Sequence, residues 1–238
     1  MRNIGLIAVL EWRRLWSTAM PYLTGALFVG LSGYFFCMLL FVSHHADLMP
    51  AASSNMLFFL LILIPFLTMR LFVEDRLLGT DVLLHTAPLT VTQIVLGKYL
   101  SVLATMSVFL VATAPIPLSL MVLGDPDMGM LLGSYVAMFL FVVAVSAIGM
   151  WASSVARHYV VAALLAFGVL MLVWLSGALG AVFQGVVGVC FDKIAMPNHV
   201  MLLQQGIVTA DDLAYFGVVT SFFLVLTGVS VVFRREVA

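Results

Sequence analysis

Charged residues are so sparse along this chain that they leave six long uncharged intervals, at 15–46, 48–69, 99–124, 128–156, 158–191 and 213–233. Roughly 20 mostly apolar residues in a helix cross the hydrocarbon of a bilayer, and each interval is at least that long. Helices satisfy every backbone group within the segment, which is the condition for lying in lipid. Soluble domains carry about a quarter of their residues as charges. Here the share is 9% with a mean hydropathy of +1.21, too little polar surface to face water. The expected fold is an all-α integral membrane protein, one transmembrane domain over 1–238. Trimming polar ends places six spans near 20–42, 54–73, 99–123, 130–153, 159–183 and 213–233. A seventh uncharged interval, 82–97, is too short and holds Pro88 and several polar residues.

Six spans put both termini on one side. That side collects Arg2, Arg13, Arg14, Arg70, Arg76, Lys98, Arg157, Arg234 and Arg235, whereas the other receives only Lys193. The excess of basic residues places both termini in the cytoplasm. The opposite side gathers Asp47, Asp125, Asp127, Asp192, Asp211 and Asp212.

The short turn at 124–129 and the link at 154–158 make spans three, four and five antiparallel neighbours. The segment 184–212 is too apolar for a solvated loop and too interrupted to span, so it is expected to form re-entrant or interfacial helices on the outer face. Residues 1–18 are expected to form an amphipathic interfacial helix. At 100° per residue Ile4, Ala8, Trp12, Leu15 and Trp16 share a face, with Arg2, Asn3 and Arg13 away from it and Leu6, Ile7 and Leu10 spoiling the polar side. The apolar run 4–10 is short, is followed by Glu11, Arg13 and Arg14, and lacks a small-residue cleavage pattern, so no signal-peptide removal is expected.

Little catalytic chemistry is legible. The interior of the six spans contains no Asp, Glu, Lys or Arg, Arg70 standing near the end of the second, which argues against an ion-coupled carrier or a charged-ring channel. No GxxxxGK[ST], HExxH or GxSxG pattern occurs, so the chain has no nucleotide loop of that type and no zincin or hydrolase signature. It is not expected to be an enzyme, to hold a metal or to bind nucleic acid. The pair His44–His45 reads as interfacial, and Met128 and Met130 read as packing or lipid-facing residues rather than copper ligands. Cys37 and Cys190 match no metal spacing and are expected to be buried as small apolar residues.

The stretch 73–99 breaks the apolar pattern. It carries Glu74, Asp75, Arg76, Asp81 and Lys98, together with Gly79, Pro88 and Gly97. Helical propensity runs up to Gly79 and again from Asp81 to His85, with a break at Pro88. Thr90 and Gln93 have capping-box spacing for a helix that leads into the third span. Thr209 and Asp212 have the same spacing ahead of the sixth. A charged surface elbow with an apolar stripe of Leu77, Val82, Leu83 and Leu84 suits docking in a groove of a soluble partner.

The run FVEDRLLGTDVLLHTAPLTVTQIVLGKYLSV resembles the first cytoplasmic loop of ABC-type export permeases of the second class, and among them the gliding-motility type. Glu74, Asp75, Arg76, Gly79, Thr80, Leu83, Leu84, Thr86, Pro88, Gly97 and Lys98 fall on that pattern. The family's acidic residue two places after the threonine is replaced here by Val82, with Asp81 one place earlier. The segment MPNHVMLLQQGIVTADDLAYF resembles the stretch before the sixth span, with Pro197, His199, Gly206, Asp212, Tyr215 and Phe216 in register and Thr209 where an acid is often found.

The resemblance implies a permease subunit of an exporter in a bacterial inner membrane, without a cofactor of its own. It would pair with a second permease subunit, an identical copy being the first expectation, and lie in membrane lipid. A separate ATPase carrying ATP and magnesium would dock on 74–98, with Glu74, Asp75, Arg76, Gly79, Thr80, Asp81 and Pro88 as the coupling residues. A scaffold that drives a periplasmic protein in cofactor or cytochrome assembly is the alternative.

Overall fold

The computed structural model describes residues 2–42, 49–79, 90–123, 126–182 and 185–237. Among them the secondary structure is helical, with no strand. The helices are α1 (Arg2–Trp16), α2 (Ala19–Val42), α3 (Met49–Thr68), α4 (Arg70–Leu77), α5 (Val91–Ala112), α6 (Pro115–Leu123), α7 (Met128–Val155), α8 (Tyr159–Val182), α9 (Val186–Ile194), α10 (Met196–Gln204) and α11 (Ala210–Val237). Among the described residues six stretches are long and apolar enough to span a bilayer: Ala19–Phe41, Met49–Leu77, Val91–Val122, Met128–Val155, Tyr159–Gly180 and Ala210–Arg234. The end of the bundle that carries α1 and the C-terminus of α11 is called the terminal end, and the other the distal end.

Three of these stretches run past the uncharged intervals, the sixth taking in Asp211, Asp212 and Arg234 at its ends. The second continues through α4 and so includes Arg70, Glu74, Asp75 and Arg76, and the third starts at Val91 and includes Lys98. The expectation that the spans are free of charge is therefore corrected. In the second and third stretches Glu74, Asp75 and Lys98 are paired inside the protein, the condition on which ionised groups survive in such surroundings.

The fourth stretch, α7, sits at the centre and packs on α3, α5, α8, α10 and α11. Its buried face is rich in small residues, among them Gly133, Ser134, Ala137, Ala144, Ala147, Gly149 and Ala152. Small side chains let helix backbones approach closely where lipid offers no hydrophobic drive to associate. At Gly149 a Cβ would strike the Thr68 side chain, and at Gly133 it would meet the Leu203 carbonyl and the backbone of Gly206. Leu57, Leu60, Ile64, Met106, Phe141 and Phe28 fill the surrounding core.

Both broken spans have a local cause and a remote repair. Pro115 and Pro117 cannot donate backbone hydrogen bonds, so the third span breaks after Ala112 and restarts with Pro115 in the first helical position, where its missing donor costs nothing. The Thr113 carbonyl, denied the amide of Pro117, accepts from the Ile116 amide at 3.0 Å and from the Tyr135 hydroxyl at 3.1 Å. The second span breaks between α3 and α4 at Met69, four residues after Pro65. There Ser153 of α7 donates its hydroxyl to the Met69 carbonyl at 2.9 Å and accepts from the Phe72 amide at 3.1 Å.

At the distal end α9 and α10 are nine residues each, about 14 Å long at 1.5 Å per residue and too short to cross. They fold over the ends of α7 and α8. Gln204 ties α10 to α3, donating to Ser53 at 2.8 Å and accepting from Ser54 at 3.3 Å. Gly206 turns the chain back with φ of +81°, its backbone against Gly129.

Cys37 and Cys190 are both exposed on the protein surface and unbridged, contrary to the expected burial. They lie on the faces of α2 and α9 turned away from the bundle, where an apolar thiol suits lipid as well as it suits a core.

Candidate functional site

Glu74, Asp75, Arg76 and Lys98 of the elbow turn inward at the terminal end. Lys98 lies in the second turn of α5 and is fully buried. Its ammonium donates to Glu11 Oε1 of α1 and to the Leu71 carbonyl, each at 2.9 Å, and forms an ion pair with Asp75 Oδ2 of α4 at 2.7 Å. It also stands over the Phe72 ring, 5.4 Å from its centre. Asp75, almost wholly buried, takes a further bond on Oδ1 from the Arg14 guanidinium of α1. Arg14 also reaches Glu74 at 3.5 Å, and Glu74 reaches Arg70 at 3.4 Å one turn earlier. Burial would lower the Arg14 pKa, but the bond to Asp75 and the charges of Asp75, Glu11 and Glu74 together raise it.

Three cations (Lys98, Arg14, Arg70) thus alternate with three anions (Glu11, Asp75, Glu74) across α1, α4 and α5. No single backbone segment holds the cluster. It ties both helices that flank segment 80–89 to the N-terminal helix.

Arg76 points to α7 instead. Its guanidinium donates to the carbonyls of Ser153 at 3.0 Å, Ser154 at 2.5 Å and Ala156. Ser153 and Ser154 belong to the last turn of α7 and Ala156 caps it, where carbonyls lack intrahelical partners and the helix dipole favours a cation. Arg234 of α11 adds a bond to the Val155 carbonyl. Gly79 follows α4 with φ of +68°, the left-handed conformation common just past a helix end. Thr80, Asp81 and Pro88, and the expected helix at Asp81–His85, lie outside the described residues, as does His44–His45.

Beyond that segment the expected capping box is present. Thr90 Oγ1 accepts from the Gln93 amide at 3.3 Å, and the Gln93 side chain accepts from the Thr90 amide at 3.3 Å. At the start of α11, Thr209 Oγ1 accepts from the Asp212 amide at 3.2 Å and donates to Asp212 Oδ2 at 2.5 Å. The Asp212 carboxylate therefore meets the Thr209 hydroxyl, and its other oxygen pairs with His199 Nδ1 of α10 at 2.6 Å.

Sequence reasoning assigned no role to Glu11 or Arg14 and left Lys98 out of the coupling residues. The signal was present in α1. Ile4, Ala8, Glu11 and Leu15 follow the i, i+4, i+7, i+11 spacing of one helical stripe, and a carboxylate in that stripe asks for a buried cation. The face that packs on the bundle includes Ile7, which meets α5 at Gly97, whereas Leu6 and Leu10 point outward. Trp16 packs edge-on to Tyr22, Phe109 and Trp12. Among the described residues no group of three or more His, Cys, Asp or Glu side chains could hold a metal.

Residues 17–236 match the family model described as ABC-2 family transporter protein. No curated protein matches the chain. The match covers most of the sequence, and the chain belongs to that family. It is a multi-pass permease subunit of an ABC transporter, a transport component rather than a catalytic one, with an ABC ATPase and membrane lipid as partners.

Proposed function

From this membership we propose that the chain is one of two permease subunits of a bacterial inner-membrane exporter of the gliding-motility type. Both termini face the cytoplasm, α1 lies in the membrane interface, and α9 and α10 lie at the outer surface. The ATPase docks on the segment between α4 and α5, through Thr80, Asp81 and Pro88. ATP and its magnesium ion bind in that partner.

The observation that carries the reading is the junction of Glu11, Arg14, Asp75 and Lys98. Helices α4 and α5 flank the docking segment, and both are bonded to α1 through ion pairs whose members on α4 and α5, Asp75 and Lys98, are buried. A push on the segment then moves three elements together, because breaking a buried pair leaves an uncompensated charge. Glu74, Asp75 and Arg76 take part as transmitting residues, held by α1 and by the end of α7. Such an arrangement suits a two-state rearrangement of the spans driven from outside the membrane.

The test separates docking from transmission. Tagged protein is purified in mild detergent and its co-purifying ATPase is quantified. Asp81→Lys is expected to lose the ATPase while retaining the thermal unfolding midpoint of the unaltered chain. A fully folded Asp81→Lys protein that still binds stoichiometric ATPase, or an unaltered chain that brings down none, sinks the docking assignment.

A further inference from the structure

At the distal end an open groove of about 720 Å³ runs between α11, α8 and the α9–α10 pair. One stripe of α11 forms its floor: Asp211, Tyr215, Val218 and Phe222, spaced i, i+4, i+7 and i+11. Val218 and Phe222 are 67% and 57% exposed. From Asp211 to Phe222 the stripe extends about 16 Å at 1.5 Å per residue, roughly half of a 30 Å hydrocarbon layer. The groove is therefore one leaflet deep, apolar below and polar only at its distal rim.

The rim carries one charge of each sign. The Lys193 ammonium and the Asp211 carboxylate both line the groove, and neither has an ion-pair partner among the described residues. Their neighbours are committed elsewhere. His199 uses Nδ1 on Asp212 and Nε2 on the Lys193 carbonyl at 3.0 Å, and the Tyr215 hydroxyl donates to the Ile194 carbonyl at 2.7 Å. The His199 and Tyr215 rings stack with centres 4.1 Å apart. These bonds fix the backbone on which Lys193 stands to the helix that carries Asp211, so the two free charges are held on a preorganised frame.

We propose that this groove binds one zwitterionic aminophospholipid of the distal leaflet. One acyl chain lies along Val218 and Phe222, the phosphate meets Lys193, and the primary ammonium of the headgroup meets Asp211. A purely anionic headgroup leaves Asp211 facing like charge. A choline headgroup offers Asp211 no N–H donor, although charge-assisted hydrogen bonds are the stronger kind. A water-soluble ligand has no use for a wall open to hydrocarbon. The inference needs only the membrane-spanning fold and stands apart from the identity of the exported cargo.

The full chain is reconstituted into bilayer nanodiscs of equal parts phosphatidylethanolamine, phosphatidylcholine and phosphatidylglycerol. It is then released into mild detergent, and native mass spectrometry counts the lipids retained. The expected result is one phosphatidylethanolamine per chain, enriched about tenfold over each of the others, equivalent to about 1.4 kcal/mol. Lys193→Gln and Asp211→Asn should each abolish that preference without changing the unfolding midpoint. Ala214→Trp fills the groove beneath the rim and should remove the retained lipid with both charges intact. Equal retention of all three lipids, or a preference that survives both charge variants, overturns the proposal. So does an Ala214→Trp variant that keeps its lipid but dissociates from dimer to monomer, a result that seats a second copy of the chain in the groove.

Discussion

Lys98 shows how a charge can be placed at the edge of a membrane span. An ammonium buried without partners would lose its proton or unfold its surroundings. Here the ammonium is compensated by two carboxylates, Glu11 and Asp75, and by a backbone carbonyl. Lys98→Met leaves Glu11 and Asp75 without their shared cation, and breaking a buried pair from one side costs about 3–5 kcal/mol. A marked fall in the thermal unfolding midpoint in detergent is expected. Adding Asp75→Asn to Lys98→Met should recover part of the loss, because a neutral amide replaces the stranded carboxylate and Arg14 is exposed enough to hydrate. A double variant less stable than the single one would mean that Asp75 is held chiefly by Arg14. Lys98→Arg should not rescue, since a planar fork cannot reproduce the three diverging contacts of a compact ammonium.

At the scale of the element, the two broken spans are repaired to different degrees, and their variants should differ accordingly. Ser153→Ala strips both the Met69 carbonyl and the Phe72 amide of their partner. Each orphaned buried group costs about 1–3 kcal/mol, and a large drop in unfolding midpoint is expected. Tyr135→Phe removes one of two bonds to the Thr113 carbonyl, which keeps the Ile116 amide, so its effect should be clearly smaller. Equal losses would show that the breaks are held by packing alone. The same contrast explains what the sequence could reveal. The Thr90–Gln93 capping box lies within four consecutive residues, and Pro115 announces its own break, so both are legible from local pattern. The break at Met69 carries no turn residue, and its repair comes from a serine 84 positions away. The ion pairs are likewise non-local, with Arg14 and Asp75 separated by 61 positions and Glu11 and Lys98 by 87. The six spans were readable because hydrophobic length alone determines them. The direction in which Glu74, Asp75 and Arg76 point depends on which helices pack beside them.

For the whole molecule, the position of α1 is the quantity on which coupling turns. Apart from van der Waals contact, such as Ile7 against Gly97, α1 is bonded to the spans through Glu11 and Arg14. Changing both to leucine is neutral in net charge and leaves the Lys98–Asp75 and Arg70–Glu74 pairs intact. The fold should therefore survive while α1 loses its electrostatic tether. With Cys37 and Cys190 replaced by serine, spin labels at Leu10→Cys on α1 and Val160→Cys on α8 report the separation of the two helices. Both sites are well exposed, at 66% and 68%. In the complex with its ATPase, ATP binding is expected to shift the label distance in the tethered chain and to leave it unchanged in Glu11→Leu/Arg14→Leu, although the ATPase stays bound. An ATP-dependent shift of the same size in both would mean that α1 follows the spans through its apolar face, and the charged cluster would then be a fastening of the fold rather than a path for motion. No shift in either would place the moving parts elsewhere and leave α1 a fixed anchor. The distinction matters physically because packed interfaces are bistable rather than continuously deformable, so either kind of joint can switch, and the label distances tell which of the two carries the motion.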